Sequence, residues 1–211
     1  SASPKCLALV AGRPFIDYVI EHAKDHGIEN FAFALGYKSK DIISHLKANH
    51  RDLNYKYTIE STPLGTGGGI LLASQAIEDN PFYVFNGDTL FMADLNAMET
   101  LHTDQNSKIT IALKPMNNFD RYGTVIVEDN KVTAFCEKQF TSQGLINGGI
   151  YLMDKSILNG FENDTVFSFE KEVLEPLSQQ NLITALPFDS YFIDIGIPED
   201  YSKANMDLKD F

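Results

Sequence analysis

In the first half of the chain, short apolar runs alternate with stretches of helical periodicity, and that alternation admits few folds. Phe31 to Leu35 is almost wholly apolar, as a strand covered on both faces is. Tyr55, Tyr57 and Ile59 alternate as a strand, and Phe82 to Phe85 is another buried run. Between these lie helical segments. Phe15, Ile16, Val19, Ile20 and Ala23 share one face over Pro14 to His26, with Pro14 in the first turn and Gly27 as the stop. Ser39 is placed to cap a helix reaching about Lys47, and Ile70 to Ile77 reads as a third helix. Such alternation predicts a Rossmann-like α/β fold, a mainly parallel, mixed sheet with helices on both faces.

Past Leu95 the rhythm changes. A helix to about His102 precedes a strand at Ile109 to Lys114, and Gly123 to Glu128 and Val132 to Glu137 flank the turn pair Asp129-Asn130 as a hairpin. A strand near Ile150 to Met153 follows, then a helix from Phe169 that Pro176 should interrupt, strands near Ile183 and Phe192, and a helix from Pro198. With 211 residues and no internal repeat or linker, a single domain over 1–211 is expected.

The formal charge of −12 argues against nucleic acid and anionic membrane as partners, since both are bound through clustered Lys and Arg. The longest apolar stretch, around Cys6 to Ala11, is far too short for a membrane span. No secretory pattern is present, so the cytoplasm is the expected location. Cys6 and Cys136 have no metal-ligand spacing and are expected as reduced thiols, while the five histidines are scattered singly and read as surface residues. An acidic protein binds phosphates through a few basic groups or backbone donors gathered in one pocket.

Several short constellations suit such a pocket. Phe82 to Phe85 runs into Asn86-Gly87-Asp88, which places Asp88 at the end of a buried strand, where open α/β sheets put ligands. Asn-Gly is also a hairpin signal, but the residues after Asp88 read as helix rather than as a pairing strand. Asp194, in Ile193-Asp194-Ile195-Gly196-Ile197-Pro198, ends a second apolar strand and either joins Asp88 on a metal ion or caps the following helix. Mg²⁺ takes one or two carboxylates and completes its shell with phosphate oxygens and water. Leu64-Gly65-Thr66-Gly67-Gly68-Gly69 reads as a loop ahead of the Ile70 helix that brings backbone N–H groups close to a base or phosphate. Lys5 and Lys138 stand out by context among seventeen basic residues, and Asn147-Gly148-Gly149 permits close backbone approach or is simply a turn.

Taken in order, Pro4-Lys5, Leu64 to Gly68, Asn86-Gly87-Asp88, Arg121-Tyr122-Gly123, Glu137-Lys138, Asn147-Gly148-Gly149 and Asp194 to Pro198 resemble the motif series of the sugar-1-phosphate nucleotidylyltransferases. Phe167-Ser168-Phe169-Glu170-Lys171 and Tyr191 through Tyr201 are most similar to the branch of D-glycero-D-manno-heptose-1-phosphate and mannose-1-phosphate guanylyltransferases. The resemblance implies the nucleotide-diphospho-sugar transferase type of fold and transfer of a nucleotidyl group, GTP favoured, to a heptose- or mannose-type sugar-1-phosphate with release of pyrophosphate. It implies that Asp88 and Asp194 hold Mg²⁺, that Lys5 contacts triphosphate oxygens, and that Leu64, Gly65, Thr66, Gly67 and Gly68 line the base pocket. Tyr122, Gly123, Glu137, Asn147 and Gly148 would face the sugar, with Lys138 on its phosphate. Asp88, Lys5 and Lys138 are the expected catalytic set, and a homo-oligomer is compatible with the family.

The chain departs from the pattern in places. The family's first strand and Gly-rich signature loop are expected ahead of Ser1, Gln139 follows Lys138 where proline is common, and Cys6 follows Lys5 where proline is common. The expected missing loop keeps a second reading open, a non-catalytic binder of a nucleotide or nucleotide sugar. A glycosyltransferase using a nucleotide-sugar donor is a third reading, and the chain lacks the Asp-x-Asp triplet typical of those enzymes.

Overall fold

The chain is described over residues 3–209 by a computed structural model. A 3-10 turn (Lys5–Leu7) leads into a tight ribbon of β1 (Leu9–Val10) and β2 (Arg13–Pro14), whose turn residues Ala11 and Gly12 take φ of 50° and 86°. From Pro14, whose ring fixes φ, the chain enters α1 (Phe15–Asp25), then β3 (Asn30–Leu35), α2 (Ser39–Asn49) and β4 (Asn54–Ile59). β3 and β4 pair in parallel. α3 (Gly65–Ser74) begins five residues before the expected Ile70, so the glycines form its first turns rather than a loop.

β5 (Phe82–Phe85) is followed by β6 (Thr89–Phe91), where a helix-like continuation is expected, and by α4 (Leu95–Asp104), capped by the Asp94 carboxylate on the Ala97 amide. Next come β7 (Ile109–Phe119), the hairpin of β8 (Val125–Glu128) and β9 (Lys131–Phe135), and β10 (Thr141–Met153). In the hairpin Asp129 and Asn130 take φ of 49° and 62°, the positive pair that a two-residue primed turn needs. Pro176 does not interrupt its helix. A π-helical turn (Glu170–Leu174) runs into α5 (Glu175–Ser178), which puts the proline in the first turn of the α segment, where a missing N–H costs little. β11 (Ile183–Pro187), β12 (Phe192–Asp194) and α6 (Pro198–Asp207) complete the order.

Six strands form the central sheet in the order β5-β10-β7-β11-β9-β8. It is mixed, and within it only β7 and β11 run parallel, fewer parallel pairings than the alternation of elements suggests. The reason is β10, which inserts between β5 and β7 antiparallel to both. Helices cover both faces. Ile109, Ile111 and Leu113 of β7 pack with Phe169, Val173 and Leu174, whereas Ala112 packs with Leu95 and Met98 of α4, the alternation that a pleated strand imposes. A buried chain of His102, Thr110, Thr184 and Ser107 ties α4 to β7 and β11. No helix among the described residues is long and apolar enough to cross a membrane.

A slot of about 730 Å³ separates β3 from β5. Every residue of both strands lines it, and among the described residues each strand has a partner on its other side alone. Phe31, Phe33 and Val84 are therefore half-buried and Ala34 exposed, where their apolar runs predict full burial.

Candidate active site

Asp88 lies in the turn joining β5 to β6, and Asp194 is the last residue of β12. β6 and β12 pair antiparallel with Thr89 opposite Asp194, and the Ile195 amide donates to the Asp88 carbonyl at 3.0 Å. The two aspartates thus meet, although by a different route from two parallel strand ends. Both are half-buried. Burial and then the charge of Asp194 raise the Asp88 carboxyl above its ordinary range, with Lys5 opposing. Lys5, exposed on its 3-10 turn, is thereby placed in the same electrostatic neighbourhood. The Cys6 thiol, pushed up to about 11 mainly by burial, also feels Asp88.

Asp194 is held at both oxygens. Gly196 donates its amide to Oδ1 at 2.7 Å, and a Cβ at that glycine would sit 2.8 Å from the same oxygen, so the close approach requires glycine. Tyr122 donates its hydroxyl to Oδ2 at 3.4 Å. Burial first, and then the Asp194 charge, push the phenol up to about 12, so it stays a neutral donor. The Arg121 guanidinium, ion-paired with Asp200, lies 5.3 Å from the Tyr122 ring centre and keeps the ring in place.

These groups face a cavity of about 690 Å³ lined by Asn86, Tyr122, Lys138, Asn147, Glu170 and Asp194 among others. Of the residues expected from sequence, Tyr122, Lys138, Asn147 and Asp194 line it directly. Asn147 owes its aim to a bulge, because β10 and β7 shift register between Asn147 and Tyr151. Its amide donates to the Tyr151 hydroxyl at 2.8 Å, and its Oδ1 accepts from the Gly149 amide at 3.0 Å. Gly149, at φ +76°, lines the cavity, while Gly148 is buried against Phe91, whose ring stands 2.3 Å from where a Cβ would be. Gly123 abuts the Cys136 carbonyl, and Glu137 is exposed beside Lys138 without lining the cavity.

The glycine segment is brought near by a strap at residues 165–170. Phe167 donates its amide to the Leu64 carbonyl and accepts from the Gly67 amide, both at 3.0 Å. Gly67 and Gly68 are buried under Phe167 and Thr165, while Gly65 and Thr66 are exposed and line the slot. Thr66 donates its hydroxyl to Glu170 at 2.8 Å, and Glu170 reaches the second cavity. Asn86 lines both spaces. Sequence reasoning assigned no role to Glu170, Asn86 or Tyr151. The quoted stretches Phe167 to Lys171 and Asn86 to Asp88 held the first two, but nothing local to Tyr151 pointed to its bond with Asn147.

The donor set suits a small hard cation. Two carboxylates, close enough that one raises the other's proton affinity, converge beside a cavity and supply only oxygen, the ligand type that Mg²⁺ takes.

Comparison with known proteins gives the family of the chain. Residues 1–210 match the nucleotidyl transferase family. The chain is 39% identical over 211 residues to D-glycero-alpha-D-manno-heptose 1-phosphate guanylyltransferase of Aneurinibacillus thermoaerophilus, covering all of this chain and 92% of that one. The enzyme of the same name from Campylobacter jejuni subsp. jejuni is 45% identical over 199 residues, 94% of this chain and 87% of that one. Among solved structures, HddC from Yersinia pseudotuberculosis complexed with GMP-PN aligns with a TM-score of 0.86 and 32% identity over 98% of this chain and 91% of that one.

Proposed function

We infer that this chain, which belongs to the nucleotidyl transferase family and is a nucleotidyltransferase, transfers the guanylyl group of GTP to a sugar-1-phosphate, with D-glycero-alpha-D-manno-heptose 1-phosphate the favoured acceptor. The observation that carries the reading is the meeting of Asp88 and Asp194 beside the cavity that holds Lys138, Tyr122 and Asn147. Among the described residues no Ser, Cys or His lines that cavity, so it offers no Ser–His or Cys–His pair to activate a nucleophile, which favours direct transfer over a covalent intermediate. A phosphate oxygen of the sugar-1-phosphate attacks the α-phosphorus of GTP in line, the bond to the β-phosphate breaks, and pyrophosphate leaves with the electron pair. Lys138 orients the acceptor phosphate, Lys5 meets triphosphate oxygens, and Tyr122 and Asn147 face the sugar, so catalysis comes from positioning and charge neutralisation. Asp88 and Asp194 would hold Mg²⁺, which when bound offsets negative charge on the phosphate oxygens. On this reading Gly65 and Thr66, the exposed residues of the Leu64–Gly68 segment, take the base, and Cys6 and Cys136, which form no disulfide with each other, suit a cytoplasmic setting.

The slot supports one further part of the reading. It offers two strand edges and an apolar lining to a strand, the place for the first strand and signature loop that the resemblance puts ahead of residue 1. Incubation with a panel of sugar-1-phosphates and nucleoside triphosphates, following pyrophosphate, tests the activity. Release with GTP and a heptose or mannose 1-phosphate is expected. Tight nucleotide binding without release across the panel would leave the chain a binder instead.

A further inference from the structure

Asp17 of α1, His45 of α2 and His50 at the end of α2 form the only group of three or more such side chains, among the described residues, whose ligand atoms all lie within 4.8 Å of one another. The separations of 28 and 33 residues from Asp17 hide it in the sequence, where each histidine reads as solitary. Both imidazoles turn Nε2 onto a single oxygen, Asp17 Oδ1, at 2.7 and 2.8 Å. Their rings stand edge to face, with centres 5.4 Å apart. Asn49 holds His45 from behind at Nδ1.

We propose that Asp17, His45 and His50 form a binding site for a divalent transition metal of the zinc class, which ties α1 to α2. Two imidazoles and one carboxylate are the ligand set of such ions rather than of Mg²⁺, and three protein ligands leave a fourth position for water. Metal bonds of the usual length place tetrahedral ligands roughly 3.3 Å apart, so each Asp17–imidazole separation, now 2.7 and 2.8 Å, has to open by only about half an ångström, and the two imidazole nitrogens already lie within 4.8 Å of each other. The side chains keep 11% to 16% exposure, which leaves a path for the ion. A metal held at Nε2 leaves each imidazole its proton on Nδ1, and the exposed Asn49 amide turns to accept the one on His45. The metal then bridges two helices that share the Ile16, Ile20, Ile42 and Leu46 cluster, so stability depends on it.

The test is a titration with Co²⁺ in excess Mg²⁺, which occupies all-oxygen sites. One equivalent should bind with the visible bands of a four-coordinate ion, and Zn²⁺ should bleach them and raise Tm. Because losing a mere partner of a ligand costs about 10 to 100-fold in affinity, His45→Ala or His50→Ala should weaken binding at least that much. The Asp88→Asn, Asp194→Asn double variant should keep the bands. Absence of both bands and the Zn²⁺-dependent Tm rise in the unaltered chain overturns the proposal, as does binding that survives both histidine changes or is lost with Asp88 and Asp194. Should a histidine variant fail to fold, the Tm rise and bands of the unaltered chain, with their retention in the double aspartate variant, decide the matter.

Discussion

Asp88 and Asp194 stand together because Thr89, the neighbour of one, pairs with the other across the β6 and β12 ribbon, and Ile195 closes the register with a 3.0 Å bond to the Asp88 carbonyl. Replacing either aspartate by Asn keeps the shape and removes one charge. Mg²⁺ affinity and kcat should each fall by about two orders of magnitude, while binding of the sugar-1-phosphate alone changes little. The double variant should be barely worse than either single one, because groups serving one ion act as a unit. Calorimetric Mg²⁺ binding beside pyrophosphate kinetics checks this, and additive losses would separate the two carboxylates.

Lys138 and Tyr122 should divide the kinetic parameters between them. Lys138→Met removes the cavity's lysine and should lower kcat/KM by roughly 10². Tyr122→Phe keeps the ring against Phe192 and loses only a 3.4 Å bond to Asp194, so the expected change is a few-fold rise in KM for the sugar phosphate at nearly constant kcat. Steady-state kinetics on both variants test the division, and a collapse of kcat in the tyrosine variant would contradict it.

Gly67 sits where Ala would be the better helix former, yet its added methyl would meet the Phe167 ring at 2.2 Å. That ring cannot swing aside, since it is buried and stacked on Phe161 at 4.1 Å. Gly67→Ala should therefore destabilise by about 1 to 3 kcal/mol, and in a Phe167→Ala background the same change should be nearly neutral. Urea unfolding of the four proteins measures the coupling.

His22 is buried with no partner for Nε2 among the described residues, and burial, then His26, lowers its pKa from 6.5 to about 4, with Asp25 opposing. Between those values the unfolded chain takes up a proton that the folded one refuses. Stability is thus undiminished above pH 6.5 and declines as pH falls toward 4. His22→Gln should flatten that slope without abolishing it, because buried His102 is also lowered. Unfolding free energies at several pH values decide, and an unchanged slope would rule His22 out.

What could be read beforehand was what is local. The Asp129-Asn130 hairpin, α1 and the β5 run follow from turn chemistry and apolar period, and the structure agrees with them. The start of α3 at Gly65 was hidden because helix propensity argues against glycines at four of its first five positions, and only contacts from outside the helix show why nothing larger fits, the strap at 165–170 against Gly65, Gly67 and Gly68 and the Glu60 carboxylate against Gly69. β6 was hidden for a similar reason. Its three residues are too few for a period, and their partner β12 is remote. Long-range pairing also gathered Asp17, His45 and His50.

The half-buried Phe31, Phe33 and Val84 lead to the last prediction. Strands this apolar are normally covered on both faces and paired on both edges, and the unmet N–H and C=O groups along the slot would cost free energy if shut away from water. One further strand between β3 and β5 would pair both edges, join the two sheets and end close to Asn86, Gly87 and Cys6, which line the slot beside the paired aspartates. A loop following that strand would arrive where triphosphate oxygens are needed. A chain extended ahead of residue 1 to supply such a strand and a Gly-rich loop should therefore turn over roughly 10² to 10³-fold faster than residues 1–211 alone, the usual scale for removing preorganised donors. Hydrogen exchange gives a readout independent of activity, since β3 and β5 amides should gain protection in the extended chain. Equal turnover with unchanged protection would leave the slot as a pocket and not a strand site.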